Sequence, residues 1–452
     1  MTHLRTRNYL TQVKWSGVFK IVTTMATLLS TSLLLNMLGP ARYGTLSLIL
    51  SLQAWIVLFD LGIGKGLRNH VARSLARDDL PGARAAIGTA YALFGLICLA
   101  LAALSLPLLG RVDWAGLLNA GAVSGEDLRL AVISALLFAL AGLWVGIVTQ
   151  VCGALQRSAL PAGCAALNTG AFAVAIGILA LTGGGSLALI VTLQGTLALL
   201  SGLLLTLHVF RLRPDLRPRG LRIGPSARTL LHSGGRFLSI QLCLLLIFAT
   251  DKLLVARLLG TAEVAQYDVV FKIFALLTTG HLLVVGPLWS AFTEAYHRDD
   301  TSWIRRTLLA QGQVLVLLVC AALLLAGLTR WIVGIWIGDG LAVDGMLPWA
   351  MAAFAILLMW NNLFGALLNG IGALRAQVIA SALGAAVNIP LSILLVRWAG
   401  MGVSGIVLAT ALSIAIQSLM MPLAALRALP LTAAPLRLRH WRVYLRKLAS
   451  WP

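Results

Sequence analysis

The sequence predicts an all-α polytopic membrane protein with about twelve transmembrane helices and both termini in the cytoplasm. Hydrophobic residues make up 59% of the 452 residues and charged residues only 11%, whereas soluble globular proteins carry roughly a quarter charged residues. The mean hydropathy is +0.92. The chain therefore lacks the polar side chains that a soluble surface requires.

The twelve helices are predicted from long apolar runs. A helix needs about 20 mostly apolar residues to cross the hydrocarbon core, and backbone polar groups in lipid must be satisfied within the segment, which favours helices. The runs are residues 17–38, 44–63, 87–109, 130–150, 160–181, 187–209, 237–258, 264–288, 307–329, 346–368, 376–397 and 402–425.

The positions of the charges predict the orientation. The formal net charge is +20, and most Lys and Arg residues fall in alternate loops, which is the pattern of cytoplasmic loops in membrane proteins. This distribution places both termini in the cytoplasm. It also explains the basic excess without a nucleic-acid partner, and we expect none.

The chain divides at its middle into two halves that resemble each other. We predict an N-terminal six-helix lobe over 1–210, a basic cytoplasmic linker over 211–236, a C-terminal six-helix lobe over 237–425 and a basic cytoplasmic tail over 426–452. Leu38-Gly39-Pro40 at the end of helix 1 has a counterpart in Leu259-Gly260-Thr261 at the end of helix 7. An even number of spans per half makes these parallel repeats, which place a site between the halves and support alternating access.

Four stretches resemble the polysaccharide flippase branch of the multidrug/oligosaccharidyl-lipid/polysaccharide exporter superfamily. They are residues 38–48 (LGPARYGTLSL), 60–64 (DLGIG) with the basic segment after them, 251–269 (DKLLV, LG and AQYDV in order) and 287–295 (PLWSAFTEA). The resemblance implies two six-helix lobes around a central cavity. It also implies export of an undecaprenyl-diphosphate-linked oligosaccharide, as O-antigen flippases perform, across the bacterial inner membrane.

Ionisable side chains inside a span are functional candidates by default. Asp251 and Lys252 in helix 7 and Asp268 and Lys272 in helix 8 lie at similar predicted depths, with Asp268 and Lys272 spaced i,i+4. One interpretation is a self-neutralised structural cluster. The other is that Lys252 or Lys272 meets the lipid diphosphate while Asp251 or Asp268 exchanges a proton or sodium ion.

Five further charged or titratable residues have two interpretations each. Lys20, Arg42 and Arg257 are candidates for the substrate cavity, or they extend to the headgroups. Asp60 is an ion-coupling candidate or a structural partner of a nearby basic residue. His281 is a candidate proton relay or a packed, hydrogen-bonded histidine.

The sequence favours a transporter over an enzyme. No extramembrane stretch is long enough for a catalytic domain, no Gly-x-x-x-x-Gly-Lys loop is present, and we expect no cofactor. The implied partners are the lipid-linked oligosaccharide, membrane lipids, a proton or sodium ion and the polysaccharide polymerase machinery. The alternatives are a drug or cation antiporter of the same superfamily and a membrane-bound sugar polymerase or ligase.

Overall fold

The computed structural model describes residues 2–429 apart from 61, 219, 221–222, 225–226, 228–241, 243–244 and 339, and every regular element in this part of the chain is helical. The α-helices are α1 (Thr2–Ile56), α2 (Ile63–Ala76), α3 (Leu80–Leu109), α4 (Trp114–Leu118), α5 (Gly125–Val145), α6 (Ile147–Ala154), α7 (Ala159–Leu181), α8 (Leu187–Leu212), α9 (Asp251–Leu258), α10 (Thr261–Val285), α11 (Leu288–His297), α12 (Thr301–Ile337), α13 (Leu347–Ile371), α14 (Leu374–Arg397) and α15 (Gly402–Ala428).

The long helix α1 folds back on itself at Gly39. The backbone leaves the helical region there (φ 73°, ψ 166°), a conformation that glycine adopts at no steric cost, and Pro40 then starts the second segment. Thr31 and Tyr43 both hydrogen-bond to the Nζ of Lys272, at 2.9 and 2.7 Å. In an unbroken helix their Cα atoms would be about 18 Å apart, so α1 consists of two passes.

The second half of the chain repeats the breaks of the first half. A glycine with positive φ directly precedes α10, and another glycine with positive φ divides α1. An aspartate with positive φ, followed by an aspartate whose side chain caps the next helix, precedes both α3 and α12. The matched pairs are Gly39 with Gly260, Asp78 with Asp299 and Asp79 with Asp300. We call α1–α8 the N lobe and α9–α15 the C lobe.

The buried apolar side chains show how the two lobes meet. One core combines side chains of both lobes, from Leu34 and Ile49 to Val269 and Phe354. A second core lies wholly in the N lobe and a third wholly in the C lobe. The lobes therefore share a core at the end of the molecule that contains Gly39, which we call the closed end. Towards the opposite end, which we call the open end, each lobe has its own core.

The closed end is held by a close approach of α1 to α10. A Cβ atom at Gly44 would stand 1.7 Å from the carbonyl oxygen of Thr261. Glycine at this position therefore lets the backbones of the two lobes touch. Nearby, the Asn119 side chain donates a hydrogen bond to the carbonyl of Ala256, at 3.0 Å.

Ten helices of the described residues are long and apolar enough to cross a membrane. The first of these, Lys14–Gln53, contains both passes of α1. Seven residues of the predicted span 237–258 lie outside the described residues (237–241, 243 and 244), residues 245–248 are helical, and the end of the span forms α9. The count of twelve spans, the cytoplasmic placement of both termini and the lobe boundaries stay predictions.

The predicted linker is described over 211–218 and at 220, 223, 224 and 227. After α8, Arg213 forms an ion pair with Asp215 at 2.6 Å, and Arg84 of α3 donates to the carbonyl of Asp215. The hydrogen bonds from Arg213 hold the pKa of Asp215 below its usual range. The remainder of the linker and almost all of the predicted tail lie outside the described residues.

Candidate functional site

Two lysines of the C lobe share one carboxylate at the lobe interface. Asp268 of α10 is almost completely buried and accepts hydrogen bonds from Lys252 of α9, through Oδ1, and from Lys272 of α10, through Oδ2 at 2.7 Å. The i,i+4 spacing places Asp268 and Lys272 on one face of α10, as the sequence predicts. One carboxylate thus faces two ammonium groups.

The N lobe supplies the remaining hydrogen bonds of this cluster. The Tyr43 hydroxyl donates to Oδ2 of Asp268 at 2.5 Å and accepts from Lys272 at 2.7 Å. Lys272 also donates to the Thr31 hydroxyl, and Lys252 donates to the Ser47 hydroxyl at 2.8 Å. We call these six residues the interface cluster: Thr31, Tyr43, Ser47, Lys252, Asp268 and Lys272.

Asp251 belongs to a different polar group, in the interior of the C lobe. Its carboxylate accepts from the hydroxyls of Tyr267, at 3.1 Å, and Thr410, at 3.0 Å. Asn388 in turn donates to the Thr410 hydroxyl at 2.9 Å. The expectation of one cluster of four charges is therefore wrong for Asp251, because consecutive residues of a helix point in different directions.

An inter-lobe cavity of about 320 Å³ leads from the open end to Lys272. Lys20 lies exposed on its wall, and Thr23, Thr24 and Thr27 form a stripe along α1. These threonines donate to backbone carbonyls one turn back in α1. Their oxygen lone pairs remain able to accept hydrogen bonds from a ligand or from water.

The two arginine candidates lie at the closed end. Arg257 donates to the carbonyl of Gly116 at 3.0 Å, and so links α9 of the C lobe to α4 of the N lobe. Arg42 is half-buried at the beginning of the second pass of α1. Neither arginine lines the inter-lobe cavity. Their positions therefore do not support the cavity role that the sequence analysis considered for them.

The other two ion-coupling candidates lie away from the interface cluster. Asp60 ends a 3-10 turn in the N lobe and accepts from the backbone N–H of Gly64 at 2.8 Å. His281 is buried in α10, and neither ring nitrogen has a hydrogen-bond partner among the described residues. The structure therefore does not bring these two residues together with Asp251 or Asp268.

Sequence reasoning identified the charged members of the interface cluster but missed its N-lobe members. The hydroxyl-bearing stripe on α1, together with Tyr43 in the resembling stretch 38–48, was the available signal. Among the described residues, no three His, Cys, Asp or Glu side chains are grouped so that they could hold a metal ion.

The fold is that of known transporters. The structure matches an inward-facing multidrug resistance MATE family transporter of the MOP superfamily with a TM-score of 0.74 at 16% identity, covering 92% of this chain and all of that chain. It matches an outward-facing multidrug resistance MATE family transporter with a TM-score of 0.66 at 16% identity, covering 94% of this chain and 97% of that chain. It matches a MOP superfamily transporter from Pyrococcus furiosus with a TM-score of 0.69 at 16% identity, covering 93% of this chain and 95% of that chain.

The fold and the two-lobed interface thus define a multi-pass membrane protein with the architecture of MOP superfamily transporters. The sequence profile of the family described as polysaccharide biosynthesis protein matches residues 10–292. The chain belongs to this family. No curated protein matches it.

Proposed function

We propose that the chain carries undecaprenyl-diphosphate-linked oligosaccharide repeat units, of O-antigen or exopolysaccharide type, from the cytoplasmic to the periplasmic leaflet of a bacterial inner membrane. Its family and its transporter fold support a role in polysaccharide export. The observation that carries the proposal is the interface cluster, where Lys252 and Lys272 share the single carboxylate of Asp268.

The charge balance of the interface cluster favours an anionic ligand. With all three groups ionised, Asp268 neutralises one of the two ammonium charges, and one positive charge remains in a largely buried site. Burying an unpaired charge is costly, and a phosphate group would complete the balance. Lys272 of the C lobe and Lys20 of the N lobe both line the inter-lobe cavity, so a diphosphate can approach from the open end.

Substrate binding and lobe opening are coupled through Lys272 in this proposal. All three protons of its ammonium group have acceptors: Asp268 within the C lobe, and Thr31 and Tyr43 of the N lobe. A phosphate oxygen that binds Lys272 must replace one of these acceptors. If the phosphate replaces the N-lobe acceptors, the hydrogen bonds that hold the closed end together are lost. The closed end can then open, as alternating access requires.

The membrane potential favours export of such a substrate. Two negative charges that cross a field of 100 mV, negative inside, gain up to about 5 kcal/mol. An inward-moving cation gains free energy in the same direction. Within the described residues Asp251 pairs with hydroxyl groups, and we propose it as the group that exchanges a proton or sodium ion.

A second candidate function is drug or cation antiport within the same superfamily. Asp251 favours it, since no ammonium or guanidinium group pairs with this carboxylate among the described residues. The interface cluster opposes it, because the excess positive charge repels a cationic substrate from the inter-lobe cavity.

Gene deletion with complementation tests the proposal. We expect deletion to remove surface polysaccharide and to leave undecaprenyl-linked repeat units on the cytoplasmic face. Wild type should restore the polymer, and Lys272→Ala at normal protein level should not. Normal surface polymer combined with new drug sensitivity would reject the flippase and support the antiporter.

A further inference from the structure

The N lobe contains a separate cavity of about 440 Å³ that has no role so far. Its volume lies within the range of small-molecule sites, about 300–1,000 Å³. Three glutamines from three helices line it, Gln53 of α1, Gln150 of α6 and Gln194 of α8, together with the rings of Phe94 and Phe138.

This N-lobe cavity adjoins the interface cluster. A smaller chamber of about 200 Å³ is lined by Thr31, Tyr43 and Lys272 on one side and by Gln194 on the other. Gln194 therefore borders both the chamber and the N-lobe cavity. Lys272 in turn borders both the chamber and the inter-lobe cavity. The chamber therefore lies between the inter-lobe cavity and the N-lobe cavity.

The side chains of the N-lobe cavity have the chemistry of a sugar site. Amides both donate and accept hydrogen bonds, which matches the hydroxyl groups of a sugar. The Oε1 atom of Gln194 is buried without a hydrogen-bond partner among the described residues. Such an atom has lost its hydration without gaining a hydrogen bond in return, and a hydroxyl group of a ligand would supply that bond. The apolar faces of sugar rings can pack on Phe94 and Phe138.

A glycine keeps this cavity open. A Cβ atom at Gly142 of α5, which lines the cavity, would meet no heavy atom within 4 Å. A Cβ atom is therefore accommodated at this position, and a larger side chain would take up space in the cavity that Gly142 lines. Gly142→Leu offers a way to fill the space while leaving the glutamines unchanged.

We propose that the N-lobe cavity binds the sugar residues next to the diphosphate, while Lys272 binds the diphosphate itself. This inference rests on the proposed function and adds the location and chemistry of the oligosaccharide subsite. The subsite selects by hydroxyl hydrogen bonding and ring packing, so it takes hydroxyl-rich sugars and contributes nothing to binding of a lipid diphosphate without sugar.

Binding measurements with two lipids test the inference. The purified full chain in lipid nanodiscs is titrated with the lipid-linked repeat unit extracted from the deletion strain, and separately with undecaprenyl diphosphate. Gln194→Leu and Gly142→Leu are each expected to weaken binding of the glycosylated lipid about five-fold or more, the equivalent of one hydrogen bond. Binding of undecaprenyl diphosphate should stay unchanged.

Two controls keep the outcomes apart. Gln311→Leu removes from α12, outside the cavity, a side chain whose Oε1 is likewise buried without a hydrogen-bond partner among the described residues, and should change neither affinity. Lys272→Met should weaken both. Unchanged affinities for Gln194→Leu and Gly142→Leu, with Lys272→Met still weakening both, would overturn the sugar subsite alone. No binding of either lipid to the wild-type chain would overturn the proposed function as well.

Discussion

At the scale of single residues, the interface cluster depends on the ratio of two ammonium groups to one carboxylate. Asp268 accepts from Lys252, Lys272 and Tyr43, so its two oxygens bind three donors. Removing this carboxylate leaves two like charges facing each other. Removing one lysine instead leaves a balanced ion pair. Removing the carboxylate should therefore cost more stability than removing one lysine.

We predict that Asp268→Asn destabilises the protein by about 3 kcal/mol, the lower end of the range for breaking a buried ion pair, because both lysines are partly exposed. The measurement is the thermal unfolding midpoint in detergent. The double variant Asp268→Asn/Lys252→Met should recover part of the loss, since it returns the cluster to one excess positive charge.

Lys252→Met alone is the matched control for this prediction. It leaves Asp268 with one lysine, so we expect an unfolding midpoint close to that of wild type together with reduced export. An Asp268→Asn variant as stable as wild type would mean that the carboxylate is not the counter-ion of the two lysines.

Local sequence patterns predicted part of this site. The i,i+4 spacing predicted the contact of Asp268 with Lys272, but the grouping of all four charges by depth was wrong for Asp251. The partners Thr31, Tyr43 and Ser47 lie more than 200 positions away in the chain. Contacts at that separation depend on how the lobes pack, which no local periodicity encodes.

At the scale of helices, the close approach of α1 and α10 brings the two lobes into contact at the closed end. The Gly44 position leaves no room for a Cβ atom, because the nearest atoms belong to the backbone of Thr261. A backbone cannot rotate away as a side chain can. Any substitution at Gly44 must therefore move the two helices apart.

We predict that Gly44→Ala opens the closed end and reduces export. The readout is cross-linking of a cysteine pair, Asn119→Cys with Arg257→Cys, by a short bifunctional reagent in a background without the native cysteines. These positions lie on opposite lobes at the closed end, so cross-linking should fall.

Gly17→Ala is the control for the helix substitution. Gly17 lies in the first pass of α1, where a Cβ atom meets nothing within 4 Å, and alanine is a better helix former than glycine by about 0.5–1 kcal/mol. We expect unchanged cross-linking and export. Equal cross-linking of Gly44→Ala and wild type would reject the role assigned to the close approach.

Apolar run length predicted the spanning helices but not the amphipathic ones. α2 buries Ile63, Leu67 and Val71 at a spacing of four residues, while Arg68 is exposed, which is the pattern of a half-buried surface helix. The sequence analysis predicts no helix in this basic segment, because a run of 20 apolar residues is not expected of a short amphipathic helix. The short helix α11 lies almost entirely outside the predicted apolar runs for the same reason, although the stretch 287–295 that forms most of it carries the family resemblance.

At the scale of the whole molecule, the distribution of the cores defines the possible motion. The lobes share one apolar core at the closed end and have separate cores towards the open end. Rotation of the lobes about the shared core can close the open end while each lobe keeps its own packing. The interface cluster and the Arg257–Gly116 bond lie at the closed end and must break when that end opens.

We therefore predict that a covalent bridge across the closed end stops transport without stopping binding. The Asn119→Cys/Arg257→Cys pair is bridged with a reducible bifunctional reagent, and purified protein is tested for binding of the lipid-linked repeat unit and, in proteoliposomes, for its transfer between leaflets. The bridged protein should still bind, because Lys272 stays accessible from the open end through the inter-lobe cavity, but more weakly than unbridged protein, because binding and opening of the closed end are coupled. It should transfer nothing until the bridge is reduced. Each single-cysteine variant treated with the same reagent should transfer normally. Transfer by the fully bridged protein would show that the closed end does not need to open, and so would exclude alternating access between these lobes.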